Sequence, residues 1–407
     1  MTKELSTGIY ALHSNLTDAL YFEGFWSIPT GVTLNSYVVV GEKIALIDLC
    51  NDSTDSLSNI EKQLKEIGIA FSDIDYLILN HLESDHTGAL SAFLAKNEKA
   101  TICASAKGIA LVKNFCKIDE EERFRVLTDL EQVSLGNNKT LQFFDTPNVH
   151  WPETIMTYEI SSGTLFSCDG FGSYGKTGDK LLDTEFTEAE LVAFEKEALR
   201  YYANIVASFS LFVTKAIEKL SSVSINIVAP SHGVVWTKDP MRIINLYKKF
   251  AGYNTKGPQE KKVCIICGSM YGNTKEMAHE AEKLVKAQSW DCEFLPIPET
   301  DVSYVLASAL EAEGLIFAMP TYEYGIYPPM RYVFELFMKK HFYDKKILRI
   351  GSKGWVGGAE KEYKEICEKM RWNALPSVEW FGKPSTEDKN QLSKSVTHFL
   401  NLLENKE

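Results

Sequence analysis

The stretch Asn80-His81-Leu82-Glu83-Ser84-Asp85-His86 places four metal-ligand side chains within six positions. It directly follows the short apolar run Tyr76-Leu77-Ile78-Leu79, which predicts a buried strand. A turn at the end of a strand is held by a rigid scaffold, so its side chains can converge on an ion. His81, Glu83 and Asp85 are two positions apart, whereas His86 directly follows Asp85, so the two halves can point to different places. One turn of this kind can serve two metals.

A purely structural role is the alternative for this turn. Its residues would then be surface polar groups ahead of the helix predicted over residues 89–94, with Asp85 as the N-cap. A single histidine or aspartate usually has such a role. Four candidate ligands at this spacing favour a metal site instead.

The size and charge of the chain narrow the classes of function. It has 407 residues with 45% apolar content, enough for two or three globular domains. Its 55 acidic and 43 basic residues give a formal charge of −12, which opposes binding to the phosphates of nucleic acid. Residues 1–6 lack the apolar core of a signal peptide, and no run of about 18 apolar residues occurs. We therefore expect a cytoplasmic protein that binds neither nucleic acid nor membranes.

The eight cysteines are scattered, and we expect them to be reduced thiols. Cys264 and Cys267 form a C-x-x-C pair of the kind found in zinc, rubredoxin-like and redox sites. However, they lie in a strand-like run, where residues three apart face opposite sides, and no second C-x-x-C completes a four-thiolate site. The sequence therefore predicts that both lie in or near the core.

Three further ligand candidates follow apolar runs later in the chain. Asp169 follows residues 165–168, His232 follows residues 225–229, and His150 lies in a turn-like segment at a strand end. The remaining histidines lie in helix-like or edge contexts and are predicted to be structural: His13, His279, His341 and His398. Four imidazoles and three carboxylates are enough for two ions if one carboxylate bridges them, and this mixture suits iron, manganese or zinc.

The strand, the H-x-[HE]-x-D-H turn and the later His, Asp and His are similar to the metallo-β-lactamase fold, an αββα sandwich. Zinc hydrolases of that fold usually have histidine at the third motif position, where this chain has Glu83. With that replacement, and with Val149-His150-Trp151-Pro152-Glu153 and Pro230-Ser231-His232-Gly233 around the later ligands, the chain resembles the flavodiiron proteins. The resemblance implies two irons with Asp169 bridging them, one held by His81, Glu83 and His150 and the other by Asp85, His86 and His232.

A change of pattern predicts a second domain. A polar segment containing Gly257 and Pro258 predicts a linker at residues 255–260, between a metal domain at 1–254 and a further domain at 261–407. Beyond it, strands predicted over residues 262–267, 293–297, 314–319, 346–351 and 378–381 alternate with helices, the last over residues 386–403. This α/β alternation predicts a doubly wound parallel sheet of the flavodoxin-like kind.

Three loops at the carboxyl ends of these strands carry the residues predicted to bind FMN. The first runs into a helix, and its hydroxyls, its tight turn at Gly272 and the helix N-terminus favour a phosphate monoester. The other two combine glycine, which lets backbone amides approach a flat ring, with aromatic side chains that stack on it. Ordinary surface turns are the alternative, but the loops resemble those of flavodoxins and of the flavodiiron flavin domain. The predicted residues are Ser269, Met270, Tyr271, Gly272, Asn273, Thr274, Pro320, Thr321, Tyr322, Glu323, Tyr324, Gly325, Ser352, Lys353, Gly354, Trp355, Val356, Gly357 and Gly358.

Lys353 departs from the pattern of those loops, where we expect an aromatic or small residue at its position. If its ammonium approaches the flavin, its positive charge favours the reduced anionic flavin and raises the reduction potential.

The resemblance covers nearly the whole chain and implies an oxidoreductase. FMN would reduce the iron pair, which would reduce O2 to water, NO to N2O, or both. The resemblance also implies a head-to-tail homodimer or a dimer of dimers. Because the chain ends at Glu407, soon after the flavin domain, we expect an external electron donor such as rubredoxin or a flavoprotein reductase. No proton donor is assigned, since Tyr174 and Glu153 are only near the ligands along the chain.

Two other interpretations belong to different classes. A zinc hydrolase of the β-lactamase fold with an appended flavodoxin module would hold zinc and consume neither gas, and Glu83 argues against it. A non-enzymatic flavin electron carrier or gas sensor would use its metals structurally. The sequence does not distinguish a preference for O2 from one for NO.

Overall fold

The computed structural model describes residues 2–16 and 20–404. The chain forms two compact units, one of residues 1–202 and 209–249 and the other of residues 203–208 and 250–407. The predicted linker at 255–260 lies within the second unit, and the predicted domain boundaries stay a prediction. Among the described residues, no helix has both the length and the apolar character needed to cross a membrane.

The first unit is built from two large sheets, a small two-stranded hairpin and the helices around them. Its strands are β1 (Lys3–Ser6), β2 (Ile9–Leu16), β3 (Tyr21–Phe22), β4 (Trp26–Ser27), β5 (Val32–Val40), β6 (Ile44–Ile47), β7 (Tyr76–Ile78), β8 (Thr101–Ser105), β9 (Phe124–Leu127), β10 (Gln132–Gly136), β11 (Lys139–Asp145), β12 (Ile155–Glu159), β13 (Thr164–Cys168) and β14 (Ile227–Pro230). Its helices are α1 (Thr54–Glu66), α2 (Ser84–Thr87), α3 (Leu90–Leu94), α4 (Ala106–Cys116), α5 (Glu188–Tyr201), α6 (Ser210–Leu220) and α7 (Pro240–Thr255), the last of which ends in the second unit.

The two sheets have mixed topology. The first has the order β1-β2-β5-β6-β7-β8-β9 and the second the order β10-β11-β12-β13-β14. In the first sheet the pairs from β6 to β9 are parallel, and in the second β13 and β14 are parallel, while the other neighbours are antiparallel. Parallel strands need crossover connections, which are supplied here by helices or long segments.

The core of the first unit lies between the facing sheets. Tyr37 and Val39 of β5 pack there with Phe143 of β11 and Phe166 of β13. The other face of the first sheet packs against the apolar faces of α1, α3 and α4. Lys219 of α6 donates to the backbone carbonyl of Asp145 at the end of β11, which places α6 beside the second sheet. The predicted sandwich of two sheets between helices is therefore confirmed.

The helix that begins in the ligand-rich turn does not have Asp85 as its N-cap. The residues after β7 form the short helix α2, whose N-cap position is held by Glu83, without a side-chain capping bond. The alternative with Asp85 as N-cap is therefore wrong, because Asp85 lies within the first turn. Elsewhere in this unit, a capping box of Thr187 and Glu190 begins α5.

The second unit has one parallel sheet. Its strands are β15 (Lys262–Gly268), β16 (Asp291–Ile297), β17 (Gly314–Ala318), β18 (Thr321–Tyr322), β19 (Gly325–Ile326), β20 (Lys346–Lys353), β21 (Asn373–Ala374) and β22 (Val378–Phe381). Its helices are α8 (Asn273–Ala287), α9 (Val302–Glu311), α10 (Pro328–Lys339), α11 (Ala359–Met370) and α12 (Thr386–Glu404). The order is β16-β15-β17-β20, with β21 and β22 both parallel to β20. This is the predicted flavodoxin-like arrangement.

The two cysteines of the C-x-x-C pair are core residues of the second unit. Cys264 and Cys267 lie in β15 and are 0% and 3% exposed, as predicted for core residues, and all eight cysteines are free thiols.

Lys345, just before β20, is also buried, and its ammonium donates to the backbone carbonyls of Ala309, Leu310 and Ala312. These are carbonyls at the C-terminal end of α9, which have no partner within the helix.

We predict that Lys345→Met destabilises the second unit by about 2–4 kcal/mol, because the buried carbonyls around Lys345 Nζ lose their donor. Burial lowers the pKa of Lys345 to about 7. Between that pH and the ordinary lysine pKa the unfolded chain binds more protons, so the stabilisation by Lys345 rises with pH. Urea unfolding of the full chain should give a larger loss at pH 9 than at pH 6. The exposed Lys361→Met serves as control, and equal stability of the two variants would contradict this assignment.

Candidate metal centre and flavin site

Strand ends bring the predicted metal ligands together. His81 follows β7 of the first sheet, Asp169 follows β13, and His232 follows β14 of the second sheet. Because β13 and β14 are parallel, their carboxyl ends lie at the same edge. His150 comes from the loop before β12, in the same sheet. Residues far apart in sequence therefore converge at one end of the sandwich.

One group of side chains surrounds the first candidate ion position. His81, Glu83, His150 and Asp169 each offer a ligand atom to it, all within 4.8 Å of one another. The Oδ2 atom of Asp169 lies 3.4 Å from His81 Nε2 and 3.3 Å from His150 Nε2. Glu83 Oε2 lies 3.4 Å and 3.1 Å from the same two nitrogens. Atoms that each lie about 2.1 Å from one ion are separated by about 3.0–3.4 Å, so these spacings fit a shared metal.

A second group lies on the other side of Asp169. Asp85, His86 and His232 also offer ligand atoms that lie close together. Asp169 Oδ1 is 3.1 Å from His86 Nε2 and 3.1 Å from His232 Nε2. Asp85 Oδ1 lies 3.5 Å from His86 Nε2, and Asp85 Oδ2 lies 3.3 Å from His232 Nε2. Each oxygen of Asp169 therefore faces a different group, which is the geometry of a bridging carboxylate.

The residues present fit a pair of cations. Both oxygens of Asp85, Asp169 Oδ2 and His232 Nε2 are buried and make no hydrogen bond among the described residues. Buried polar atoms without partners are costly unless a bound group satisfies them. Cationic metals would satisfy all of these atoms at once, and the donor set lacks the thiolates that a structural zinc site commonly has.

The electrostatics of the metal-free site lead to the same conclusion. Burial lowers the pKa of His150, but Asp169 and Glu83 outweigh burial and raise that pKa to about 10. Burial likewise opposes the effect of Asp169 and Asp85 on His232, whose pKa is raised to about 9. Burial raises the pKa of Asp169, yet the neighbouring histidines hold it well below its usual value. Three carboxylates in one buried site thus require positive charge, from protons or from metals.

Contacts behind the ligands orient the imidazoles. Glu153 Oε1 lies 2.7 Å from His81 Nδ1, and the backbone carbonyl of Thr33 accepts from His232 Nδ1 at 3.1 Å. His86 Nδ1 lies 3.8 Å from Cys168 Sγ. In three of the four histidines Nδ1 is thus engaged and Nε2 is left for the metal. These partners were not predicted, because the contacts join segments tens of residues apart and leave no motif in the sequence.

Aromatic side chains form one wall of the site. The rings of Phe22 and Tyr201 lie 5.5 Å and 5.7 Å from the ring of His232, and Tyr174 lies 5.1 Å from Tyr201. The Tyr201 hydroxyl is buried and has no hydrogen-bond partner among the described residues. Burial, together with Asp169, raises the pKa of Tyr201 well above its usual value. The Tyr201 hydroxyl therefore stays protonated, and the sequence did not reveal the placement of its ring next to His232.

The predicted phosphate loop adopts the expected geometry in the second unit. Gly272 is the N-cap residue of α8, and its φ of +92° favours glycine. Its N–H donates to Ser269 Oγ at 3.2 Å, and the hydroxyls of Thr274 and Ser352 lie 3.0 Å apart. A helix N-terminus with backbone N–H groups and hydroxyls around it suits a phosphate.

All three predicted flavin loops line one cavity at the carboxyl edge of the sheet. It has a volume of 140 Å³, with Ser269, Thr274, Thr321, Ser352 and Lys353 among its lining residues, and includes Gly382, which was not predicted. The Thr321 hydroxyl is buried and has no partner among the described residues. A whole ligand of FMN size fills about 300 Å³ or more. The cavity therefore suits the phosphate end, and the ring would lie along the adjoining loops.

Those adjoining loops present aromatic side chains to solvent. Tyr322, Tyr324 and Trp355 are 42%, 64% and 62% exposed. Glu323 and Tyr324 form the turn of the β18–β19 hairpin with φ of +40° and +68°, a conformation that is strained for residues other than glycine. Strain of this kind, together with exposed rings beside a phosphate loop, fits a stacked cofactor.

Profiles of two protein families match the chain. The family described as "ODP family beta lactamase" matches residues 32–233, and the family "Flavodoxin" matches residues 265–390. The first match contains all seven predicted metal ligands, and the second contains all three predicted flavin loops.

Known proteins match nearly the full length. The chain is 30% identical over 393 residues to a nitric oxide reductase from Moorella thermoacetica, covering 94% of each chain. It is 30% identical over 346 residues to an anaerobic nitric oxide reductase flavorubredoxin from Vibrio vulnificus, covering 82% of this chain and 66% of that protein. The structure of a mutant flavo di-iron protein from Thermotoga maritima has a TM-score of 0.89 and 29% identity, covering 99% of this chain and 98% of that chain.

We predict that Glu153→Gln lowers the affinity for metal by about 10–100-fold, because the carboxylate that holds His81 Nδ1 is replaced by an amide. Metal content after dialysis against a graded chelator measures this. The exposed Glu98→Gln is the control. Retention of both metals at wild-type affinity would show that Glu153 does not orient His81.

Metal binding is predicted to release protons. At pH 7 the metal-free site holds protons on His150 and His232, whose pKa values are raised to about 10 and about 9. Metals bind neutral imidazole, so loading should displace about two protons or more, and affinity should rise with pH. Anaerobic calorimetry with ferrous ion in buffers of different ionisation enthalpy counts them, with the exposed His398→Gln as control. Loading without proton release would contradict the assigned ligands.

Proposed function

The chain belongs to the flavodiiron protein family, and we propose that it is an oxidoreductase that reduces O2 to water, NO to N2O, or both. Asp169 carries this proposal, because its two carboxylate oxygens face two separate ligand groups at 3.1–3.4 Å. We assign His81, Glu83 and His150 to one iron and Asp85, His86 and His232 to the other, with Asp169 between them. When bound, the irons supply the site where the gas is reduced, and FMN supplies electrons.

The chain's own residues prepare the metal site for this reaction. The imidazoles of His81 and His232 are oriented by hydrogen bonds at Nδ1, so their Nε2 atoms are in place before the metals bind. The rings of Phe22 and Tyr201 pack against His232 and give that side of the site an aromatic lining, which suits a small neutral gas. Protons consumed in the reduction must enter from elsewhere, since Tyr201 holds its proton tightly.

In the second unit, the three loops after β15, β17 and β20 would hold FMN. Gly272, Ser269 and Thr274 support a phosphate position, and the exposed rings of the other loops support a flavin position beside it. We propose that electrons reach FMN from an external donor such as rubredoxin or a flavoprotein reductase. The family resemblance supports a head-to-tail homodimer or dimer of dimers in the cytoplasm, in which one subunit's FMN serves its partner's metals.

Anaerobic stopped-flow mixing tests the proposed reaction. The protein is reconstituted with FMN and ferrous iron, its cofactors are quantified, and the reduced form is mixed with O2 or NO. We expect flavin re-oxidation by at least one gas to be much faster than in a sample that holds FMN without iron. Equal rates with and without iron would favour a flavin carrier. Tightly bound zinc, with no gas consumption, would favour a hydrolase of the same fold.

We predict that Glu83→Ala lowers gas-dependent turnover by about 100-fold or more, because it removes an oxygen that lies 3.1 Å from His150 Nε2 in the first group. The loss should coincide with a lower iron content and leave FMN binding unchanged, since the flavin loops belong to the other unit. Glu98→Ala is the matched surface control. Full turnover in Glu83→Ala would overturn the ligand assignment.

A further inference from the structure

Four charged side chains form a network beside the flavin loops of the second unit. Arg349 of β20 is fully buried, and its Nη1 atom donates to Glu360 at the start of α11 and to Glu379 of β22, both at 3.0 Å. Lys353, at the end of β20, donates to the other oxygen of Glu379 at 3.1 Å. Glu379 thus joins two cations, while Glu360 also pairs with the exposed Lys364 at the outer end of the network.

The network brackets the third flavin loop. Lys353 directly precedes residues 354–358, and Glu360 comes two positions after them. A side chain at Gly357 would bring its Cβ atom within 3.2 Å of Lys353 Cδ, so the lysine stem runs against the loop backbone. At Gly358 a Cβ would lie 2.0 Å from the carbonyl oxygen of Tyr324, so only glycine fits there. The loop is therefore packed against Lys353 on one side and against the hairpin loop on the other.

Lys353 lies between the cavity assigned to the phosphate end of FMN and the loop along which the ring would lie. Lys353 lines the same 140 Å³ cavity as Ser269 and Thr274 of the phosphate loop. Its side chain and that of Glu379 are 22% and 19% exposed, which limits solvent screening of both charges. Burial raises the pKa of Glu379, but Arg349 and Lys353 outweigh it and hold that pKa below its usual value. Glu379 is therefore ionised at neutral pH.

We propose that Glu379 is a positioning residue that holds the Lys353 ammonium against the flavin loop, and that the two charges shift the reduction potential of bound FMN in opposite directions. This rests on the proposed function, since it presumes FMN in the second unit. It keeps the direction of the effect expected of Lys353 from sequence and adds an opposing one, because the ammonium is paired with the carboxylate of Glu379.

The sign of each contribution follows from charge. Reduction of FMN by two electrons with uptake of one proton leaves one additional negative charge on the ring. A nearby ammonium stabilises that charge, and a nearby carboxylate destabilises it. Removing Lys353 should therefore lower the potential, and removing the charge of Glu379 should raise it. A merely structural clamp would weaken FMN binding in both variants without moving the potential in opposite directions.

The test is a spectroscopic redox titration of the FMN-loaded full chain. We expect Lys353→Met to weaken binding of reduced relative to oxidised FMN by about tenfold, a fall of about 30 mV for a two-electron couple. Glu379→Gln should give a rise of similar size, and the double variant should return close to wild type. Lys353→Arg, which keeps the charge, should retain the wild-type potential.

Controls separate the possible failures. Asp344→Asn breaks the exposed Arg371–Asp344 pair of the same unit and should leave the potential unchanged. The FMN dissociation constant, measured by quenching of flavin fluorescence, reports whether each variant still folds and binds. Unchanged potentials, or shifts of the same sign in Lys353→Met and Glu379→Gln, would overturn the proposal. Failure of the wild-type chain to bind FMN would overturn the proposed function itself, and this inference with it.

Discussion

The Asp169 carboxylate is the constraint on which the rest of the first unit depends. It is buried, and each of its oxygens faces two imidazoles. Asp85 and Glu83 add two more carboxylates to the same small volume, so the folded chain concentrates negative charge where water cannot solvate it. Such a site is stable only with compensating cations. Without metals, the same need for positive charge raises the pKa values of His150 and His232.

The strand ends of the sandwich bring together the side chains that would bind these cations. Two sheets facing each other across an apolar core bring the ends of β7, β13 and β14 to one edge, so that rigid elements position ligands that are as far apart in sequence as His81 and His232. Hydrogen bonds to the Nδ1 atoms then fix two of the rings. Strand ends also position the candidate site of the second unit, where the parallel sheet directs three loops to one edge that suits a phosphate and a flat ring. In both units, the core supplies the rigidity and the loops supply the chemistry.

The sequence predicted those parts that depend on short, distinctive patterns. The ligand-rich turn after β7, the strands of the parallel sheet and the S-x-x-G-x-T loop each combine residue type with local spacing, and the structure places them as expected. The partners that depend on tertiary contacts were not predicted. Glu153 meets His81 across 72 positions, and Glu379 meets Lys353 only because β20 and β22 are paired in register. A single glutamate or tyrosine carries no periodic signal, so neither the orienting role of Glu153 nor the placement of Tyr201 could be read from the chain.

Spectroscopy of the metals tests the central claim most directly. The oxidised protein, reconstituted with enriched iron and examined by Mössbauer and EPR spectroscopy, should contain two high-spin ferric ions that are magnetically coupled, as expected if Asp169 lies between them. We expect two irons per chain with a diamagnetic, EPR-silent ground state in the oxidised form and a coupled signal after one-electron reduction. Magnetically isolated ferric ions, or a single iron per chain after full loading, would contradict it.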